Sequence, residues 1–212
     1  LRRPREHAKP RPVRAKGEGV VFLLRDNLRH RREIERAYLK AIAGARREII
    51  IANAYFLPGS RLRHALSRAA RRGVRVILLL QGRVEYRIQH YAALALYDEL
   101  LSAGVEIYEY HASFLHAKVA VVDGHWATVG SSNIDPFSLW LAREANLAVR
   151  DAGFAESLRA SLLHEMEQGA RPVTHSAWRR QGTLMRLLMR ASYGLVRLFD
   201  GVIGYARGRD NF

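Results

Sequence analysis

From about Val20 onward, the hydrophobic pattern alternates between short apolar runs and longer segments with helical spacing. The short runs are rich in Val, Ile and Leu and predict strands at Val20–Leu24, Glu48–Ala54, Val74–Leu80, Val105–Tyr110, Ala117–Asp123, Trp126–Val129 and Ala145–Val149. The longer segments predict helices at Arg31–Ala45, Ser60–Arg72, Tyr91–Ser102 and Phe154–Gln168. Ser60 is expected to cap the second of these helices. This order predicts an α/β fold, with a mixed and largely buried β-sheet flanked by helices.

The segment from Trp178 onward has a different pattern, that of an amphipathic helix. One stripe about 120° wide on a helical wheel collects the apolar side chains, and arginines lie opposite. The stripe consists of Leu184, Leu187, Leu188, Ala191, Leu195, Leu198, Phe199 and Val202, and the arginines are Arg186, Arg190 and Arg197. No apolar run reaches the roughly 18 residues of a membrane span. The same periodicity suits either an interfacial membrane helix or a helix docked on the protein's own core.

Three segments follow from these patterns. Residues 1–18 form a basic linker in which Pro4, Pro10 and Pro12 prevent a regular element. Residues 19–170 form the α/β domain, and residues 171–212 form the basic amphipathic tail, for which we predict membrane association. The chain begins with Leu1 and has no signal-peptide pattern, so we expect it to be a piece of a longer protein.

Composition narrows the classes of chemistry open to the chain. Its 212 residues carry a net charge of +15, which suits a polyanionic partner such as anionic lipid, nucleic acid or a phosphate ester. The absence of cysteine excludes disulfides, thiolate metal sites and thiol nucleophiles. No cluster of His, Asp and Glu has convincing metal-ligand spacing either, so no metal or other cofactor is expected.

The segment that carries chemistry begins at His116 and Lys118. These two residues are two apart on a predicted strand, so their side chains share one face. An imidazole can attack phosphorus or protonate a leaving oxygen, and the ammonium beside it can neutralise charge on the phosphate oxygens. Ser131 and Asn133 add uncharged donors for the same oxygens. The pattern therefore indicates chemistry on a phosphodiester.

Two acidic residues complete the constellation. Glu144 is predicted to accept a hydrogen bond from the far nitrogen of His116 and to fix its tautomer, as the acid of a catalytic triad does. Asp123 lies at a predicted turn with Gly124, where we expect it to hold the loop.

The spacing His116-x-Lys118-x4-Asp123-x6-Gly130-Ser131-x-Asn133 resembles the HKD signature of the phospholipase D superfamily. The resemblance implies a phospholipase D-like half-domain over about residues 20–170. It implies that His116, Lys118, Ser131, Asn133 and Glu144 form half of an active site, with Asp123 structural. Ala142 departs from the pattern, because many relatives have Asn there, which puts a substrate contact at that position in doubt.

The flanking residues are similar to those of bacterial cardiolipin synthases. Tyr55-Phe56-x-Pro58 resembles a segment after the first strand of a half, and Asp135-Pro136 continues the motif in the same way. The resemblance implies phosphatidyl transfer through a phosphohistidine, making cardiolipin from phosphatidylglycerol and a second phospholipid. It also implies a peripheral protein on the cytoplasmic side of the bacterial inner membrane.

Members of this superfamily use two HKD motifs per active site, and this chain has one. His30 and His164 lack a Lys two residues later, so the second motif is expected from a missing N-terminal half or from a homodimer. Whether His116 is the nucleophile or the general acid stays open. The alternatives are an HKD endonuclease or phosphodiesterase working as a homodimer, which the charge and the single motif favour, and a non-catalytic half that binds lipid. The motif flanks favour the lipid enzyme, so nucleic acid is not expected as the partner.

Overall fold

The computed structural model describes residues 19–26, 30, 32–135 and 142–208, with side chains described as far as residue 198. The predicted linker at 1–18 lies outside the described residues. Eight strands form one sheet: β1 (Val20–Arg25), β2 (Glu48–Asn53), β3 (Arg75–Gln81), β4 (Glu106–Tyr110), β5 (Lys118–Val122), β6 (Trp126–Gly130), β7 (Glu144–Val149) and β8 (Ala170–Val173). Their spatial order is β1-β7-β6-β5-β2-β3-β4-β8. The pairs β2–β3 and β3–β4 are parallel and the other pairs are antiparallel, which confirms the predicted mixed sheet.

Seven helices are described: α1 (Glu33–Gly44), α2 (Ser60–Arg71), α3 (Arg87–Leu94), α4 (Tyr97–Ser102), α5 (Ala152–Gly169), α6 (His175–Arg179) and α7 (Thr183–Gly208). They cover both faces of the sheet, because alternate side chains of a strand point to opposite sides. Ile49 and Ile51 belong to the core beneath α1, α2, α3, α4 and α7, and Ile50 belongs to the core beneath α5. All three isoleucines have no exposed surface. The apolar run of β2 is therefore that of a strand covered on both faces.

The structure differs from the predicted elements in three places. The predicted helix Tyr91–Ser102 is two helices, since the chain turns at Leu96, whose N–H bonds the Ala93 carbonyl at 3.0 Å and whose side chain is buried. Gly59, not Ser60, occupies the N-cap of α2, and no side-chain cap bond forms there. Strand β8 was not predicted, because its sequence contains Pro172; an edge position beside β4 tolerates this proline. β8 crosses the boundary predicted between residues 170 and 171, and that division into segments stays a prediction.

The long helix α7 packs on α3, and the side that faces the core is not the side that carries its leucines. Met189, Ser192 and Val196 face the core and are at most 8% exposed. The predicted leucine stripe is a different side, and its described leucines are exposed: Leu184 80%, Leu187 62%, Leu188 44%, Leu195 42% and Leu198 65%. The helix therefore docks on the core through a narrow side and leaves its leucines uncovered. No helix among the described residues is long and apolar enough to cross a bilayer.

Candidate active site

The predicted site residues converge on one edge of the sheet because of strand direction and register. β2 ends at Asn53, which pairs with Lys118 at the start of the antiparallel β5. β6 ends at Gly130, which pairs with Asn146 near the start of β7. The edge where β2, β3 and β6 end is thus the edge where β5 and β7 begin, and Lys118, Ser131 and Glu144 lie there. Carboxyl ends of parallel strands are the usual position of ligand sites in α/β proteins.

Lys118 is the most enclosed of these residues. It is 7% exposed, and its Nζ donates a hydrogen bond to the His116 carbonyl at 3.1 Å, which holds the two residues of the motif together. The His116 side chain itself is exposed at the rim, open to a substrate. Burial lowers the pKa of Lys118, and the charges of Glu144, Asp135 and Glu85 act in the opposite direction. These three carboxylates therefore lie close enough to the ammonium to stabilise its charged form.

Ser131 connects the loop after β6 to the first residues of β7. Its N–H donates to the Ala145 carbonyl at 3.0 Å, and its Oγ accepts from the Ala145 N–H at 3.1 Å. The Ser131 hydroxyl also donates to Glu144 Oε2. Within the described residues, Glu144 forms this bond and none to His116. The predicted contact between Glu144 and His116 is absent here, so the orienting role of Glu144 stays a prediction.

Asn133 lies on the same loop with its amide oxygen uncommitted. Its Oδ1 is buried and has no hydrogen-bond partner in the part of the chain that the structure describes. A buried amide without a partner is costly unless a ligand satisfies it. A phosphate oxygen is itself an acceptor and cannot satisfy this amide oxygen, so the phosphate-binding role predicted for Asn133 stays a prediction.

Two buried asparagines that sequence reasoning missed hold the loop from residue 130 to 134. Asn53 Oδ1 accepts the Ile134 N–H at 3.1 Å. Asn146 Oδ1 accepts the Ser132 N–H at 3.3 Å, and its Nδ2 donates to Thr128 at 3.2 Å. A Cβ at Gly130 would collide with the Asn146 side chain, which explains the glycine there. The available signal was a polar residue inside an apolar strand, since each asparagine is at most 1% exposed.

Asp123 lies at the opposite end of β5 from Lys118, about 17 Å away at the rise of a strand. Its carboxylate accepts the backbone N–H groups of Arg46, Arg47 and Glu48 at 2.8–2.9 Å. Burial raises the pKa of Asp123, but these three bonds outweigh it and hold the pKa below its ordinary value. Asp123 also has a positive φ of 53° at its turn. These contacts are those of a residue that holds the turn, and the role of Asp123 relative to the catalytic residues stays a prediction.

A cleft beside Lys118 adds residues whose role the sequence did not reveal. Tyr55, Glu85, Tyr86 and Asp135 line it. The Tyr55 hydroxyl donates to Glu85, and the Tyr55 and Tyr86 rings meet edge to face at 5.7 Å. Tyr55 belongs to the segment that the resemblance identified, but Glu85 and Tyr86 stand in a loop without a pattern of their own.

Arg83 fixes the loop that leads to His116. Its guanidinium donates to the carbonyls of His111 at 2.9 Å and Ala112 at 2.7 Å, and lies 5.6 Å from the centre of the Phe114 ring. Three contacts from one side chain restrict the backbone just before the histidine. Arg83 therefore holds the loop at residues 111–114, just before His116.

Across the described ranges, no group of three or more His, Asp and Glu side chains is placed to hold a metal ion. The absence of a cofactor stays a prediction.

Comparison with known proteins identifies the family. The family model described as "Cardiolipin synthase, PLD-like domain" matches residues 38–166. Cardiolipin synthase B of Escherichia coli strain K12 is 52% identical over 159 residues, which are 74% of this chain and 38% of that protein. The chain thus spans less than two-fifths of the length of the curated relatives it matches.

Solved structures support the same fold at lower identity. Phosphatidylserine synthase of Haemophilus influenzae Rd KW20 has a TM-score of 0.66 at 13% identity, covering 87% of this chain and 46% of that chain. The phospholipase D family member Nuc of Salmonella typhimurium has a TM-score of 0.60 at 21% identity, covering 73% of this chain and 97% of that chain. The match to the family model over residues 38–166 and the 52% identity to cardiolipin synthase B establish that the chain belongs to the cardiolipin synthase, PLD-like domain family.

Proposed function

We propose that this chain supplies half of the active site of a phosphatidyltransferase that forms cardiolipin from phosphatidylglycerol and a second phospholipid. The observation that carries the proposal is the convergence of His116, Lys118, Asn133 and Glu144 at one sheet edge, with the imidazole open and the ammonium enclosed. A phosphodiester needs this combination of a reactive nitrogen and a fixed positive charge. The similarity to cardiolipin synthase B over 159 residues supports this choice of substrate class.

The mechanism we propose has two steps. In the first, one histidine nitrogen forms a bond to phosphorus while the bond from phosphorus to the headgroup oxygen breaks, and the second histidine gives its proton to that oxygen. In the second, the acceptor hydroxyl of a phospholipid loses its proton to the second histidine and displaces the first from phosphorus. Lys118 neutralises the phosphate oxygens in both steps. Water in place of the acceptor lipid would give phosphatidic acid.

Replacement of His116 by Ala tests the proposal directly. In protein that carries both motifs, supplied with phosphatidylglycerol vesicles, cardiolipin formation should fall at least about 100-fold, because a nucleophile or general acid is lost. His164→Ala is the matched control, since His164 is exposed on α5 and belongs to no motif. Near-normal turnover of His116→Ala would reject the assignment. If His116 is the nucleophile, quenching during turnover should trap phosphorus on the peptide that contains it.

The second motif is proposed to come from an N-terminal half or from a second copy of this chain. A homodimeric endonuclease is the competing function, favoured by the net charge of +15 and by the single motif. Cleavage of single-stranded DNA without cardiolipin formation would select the nuclease.

We also propose that α7 rests on the surface of an anionic bilayer, on the cytoplasmic side of the bacterial inner membrane. The exposed leucines, of which Leu184 at 80% has the largest exposed fraction, would enter the headgroup region while Arg186 and Arg190 face lipid phosphates. Leu184→Gln with Leu187→Gln should release the protein from phosphatidylglycerol liposomes in co-sedimentation. The control Phe22→Gln with Leu147→Gln changes exposed apolar residues of the sheet, also without a change of charge, and should leave sedimentation unchanged. Equal sedimentation of both variants would exclude α7 as the contact.

A further inference from the structure

A second basic site lies away from the catalytic edge, in an open cleft of about 990 Å³ beside α1 and α2. Its basic lining comes from one side of α2 and the residue that follows it: Arg61, His64, Arg68, Arg71 and Arg72. None of the lining residues belongs to the site built around Lys118. This volume lies within the range of clefts that bind small molecules.

The charges of this cleft are not balanced by the protein. Among the described residues, the guanidinium groups of Arg61, Arg68 and Arg71 have no ion pair. The one acidic residue in the lining, Glu99, is already bonded to Arg63 at 2.8 Å. Arg68 and Arg71 are three residues apart on α2, a spacing at which side chains are neighbours and like charges repel. Such a stripe is stabilised by a bound anion.

Ser67 provides an independent sign of a ligand. It lines the cleft, is only 5% exposed, and its hydroxyl has no hydrogen-bond partner within the described part of the chain. A buried hydroxyl normally finds a partner, so one from outside the chain is expected. A phosphate oxygen bound to the neighbouring arginines would accept this hydrogen bond.

The cleft also has an apolar side, formed by Leu39 and Ala43 of α1 and by Ala65 of α2. A free phosphate cannot bury this apolar surface. An anionic amphiphile can, because its hydrocarbon chain would cover the surface and remove it from water. We infer that this cleft binds the phosphate group of an anionic amphiphile, with its chain against α1. The occupant is thus a phosphorylated lipid held at a place where no chemistry occurs.

The test measures binding in a His116→Ala background, so that it does not depend on turnover. Calorimetric titration with monomeric dihexanoyl phosphatidylglycerol should show a cleft component that Arg68→Gln with Arg71→Gln weakens by about tenfold or more. The control Arg36→Gln with Arg171→Gln removes the same charge from exposed positions outside the cleft and should retain the component. Ser67→Ala should weaken it by roughly tenfold, the worth of one hydrogen bond to a charged group.

Equal affinity of the cleft variant and the control would overturn the inference. Inorganic phosphate and glycerol 1-phosphate, titrated in parallel, should bind more weakly than the short-chain lipid, and equal binding would overturn the role of the apolar side. A single-stranded oligonucleotide that binds more tightly than the lipid, and loses affinity in the cleft variant alone, would assign the cleft to nucleic acid instead. Each result is independent of whether His116 supports cardiolipin formation, which is measured in protein that retains His116.

Discussion

The enclosed ammonium of Lys118 governs the chemistry at the scale of single residues. Because burial lowers its pKa, this amine should lose its proton at a pH below the ordinary lysine value of about 10.4. The titration midpoint of Lys118 can be measured by NMR of ¹³C-methylated amines, because the chain has only four lysines and their resonances are few. The Lys118→Arg variant assigns the resonance of Lys118. Glu144→Gln should lower the midpoint further, since it removes a charge that favours the ammonium. A midpoint at or above the ordinary value would contradict the assigned environment.

Asp123 carries a prediction about stability rather than catalysis. The pKa of Asp123 is lower in the folded state than in the unfolded state, where it is about 3.9. The ionised carboxylate therefore stabilises the fold fully at pH values above the unfolded-state pKa, and this stabilisation is lost as the pH falls through the folded-state pKa. Asp123→Asn should therefore reduce the free energy of unfolding by about 2 kcal/mol at pH 7. Denaturant titrations from pH 7 to pH 3 should show this difference shrinking with acidity. The exposed Asp98→Asn should change stability by less than about 0.5 kcal/mol, and a pH-independent deficit for Asp123→Asn would exclude the carboxylate as its cause.

The sequence identified the residues of the motif but not those that support them. His116 and Lys118 were found because their spacing has chemical meaning on any strand. Asn53 and Asn146 act through partners 81 and 14 residues away, and only the register of the sheet brings those partners together. Arg83 was missed for the same reason, since its partners lie beyond a helix pair and another strand. Long-range hydrogen bonds leave little trace in local pattern.

Elements were predicted well where both faces are covered and poorly where tertiary contacts decide. The continuous apolar runs of β2 and β3 indicate buried strands from local sequence alone. The four-residue edge strand β8, by contrast, is formed by its pairing with β4. The helical-wheel pattern correctly predicted a helix at α7. The apolar stripe of that wheel, however, is not the side of α7 that packs on the core. Met189 and Val196, outside that stripe, meet the core instead. Periodicity reports an apolar side and does not report what covers it.

The docking side of α7 gives a prediction at the scale of the element. Met189→Ala removes a side chain that is 4% exposed and should lower the free energy of unfolding by about 2–3 kcal/mol. Leu187→Ala removes a group of similar size that is 62% exposed and should change it by less than about 0.5 kcal/mol. Chemical denaturation of the two variants in the absence of lipid measures both. The reverse order would mean that the leucine stripe, not Met189, packs on the core.

At the scale of the whole molecule, the proposed second motif would come either from another copy of this chain or from a half joined to it, and each copy carries a net charge of +15. Such copies repel each other, so a homodimer should form more readily as salt screens the charge. A second half joined to the same chain would avoid this cost. Sedimentation of the chain at increasing ionic strength therefore separates the two arrangements before any activity is measured.

Mixing experiments then show which arrangement forms the site. If two copies each supply one motif, co-expression with an equal amount of the His116→Ala chain should reduce cardiolipin formation to about one quarter, because only dimers of two intact chains are active. If the second motif lies in the same longer protein, the same mixture should retain about one half, since each intact molecule acts alone. The matched mixture with His164→Ala should retain full activity in both cases, because that residue is exposed on α5 and belongs to no motif. A titration of the mutant fraction distinguishes the two cases. Activity falls as the square of the fraction of intact chains if two copies form the site, and in direct proportion to that fraction if one molecule does. The two curves differ most when the intact and mutant chains are present in equal amounts.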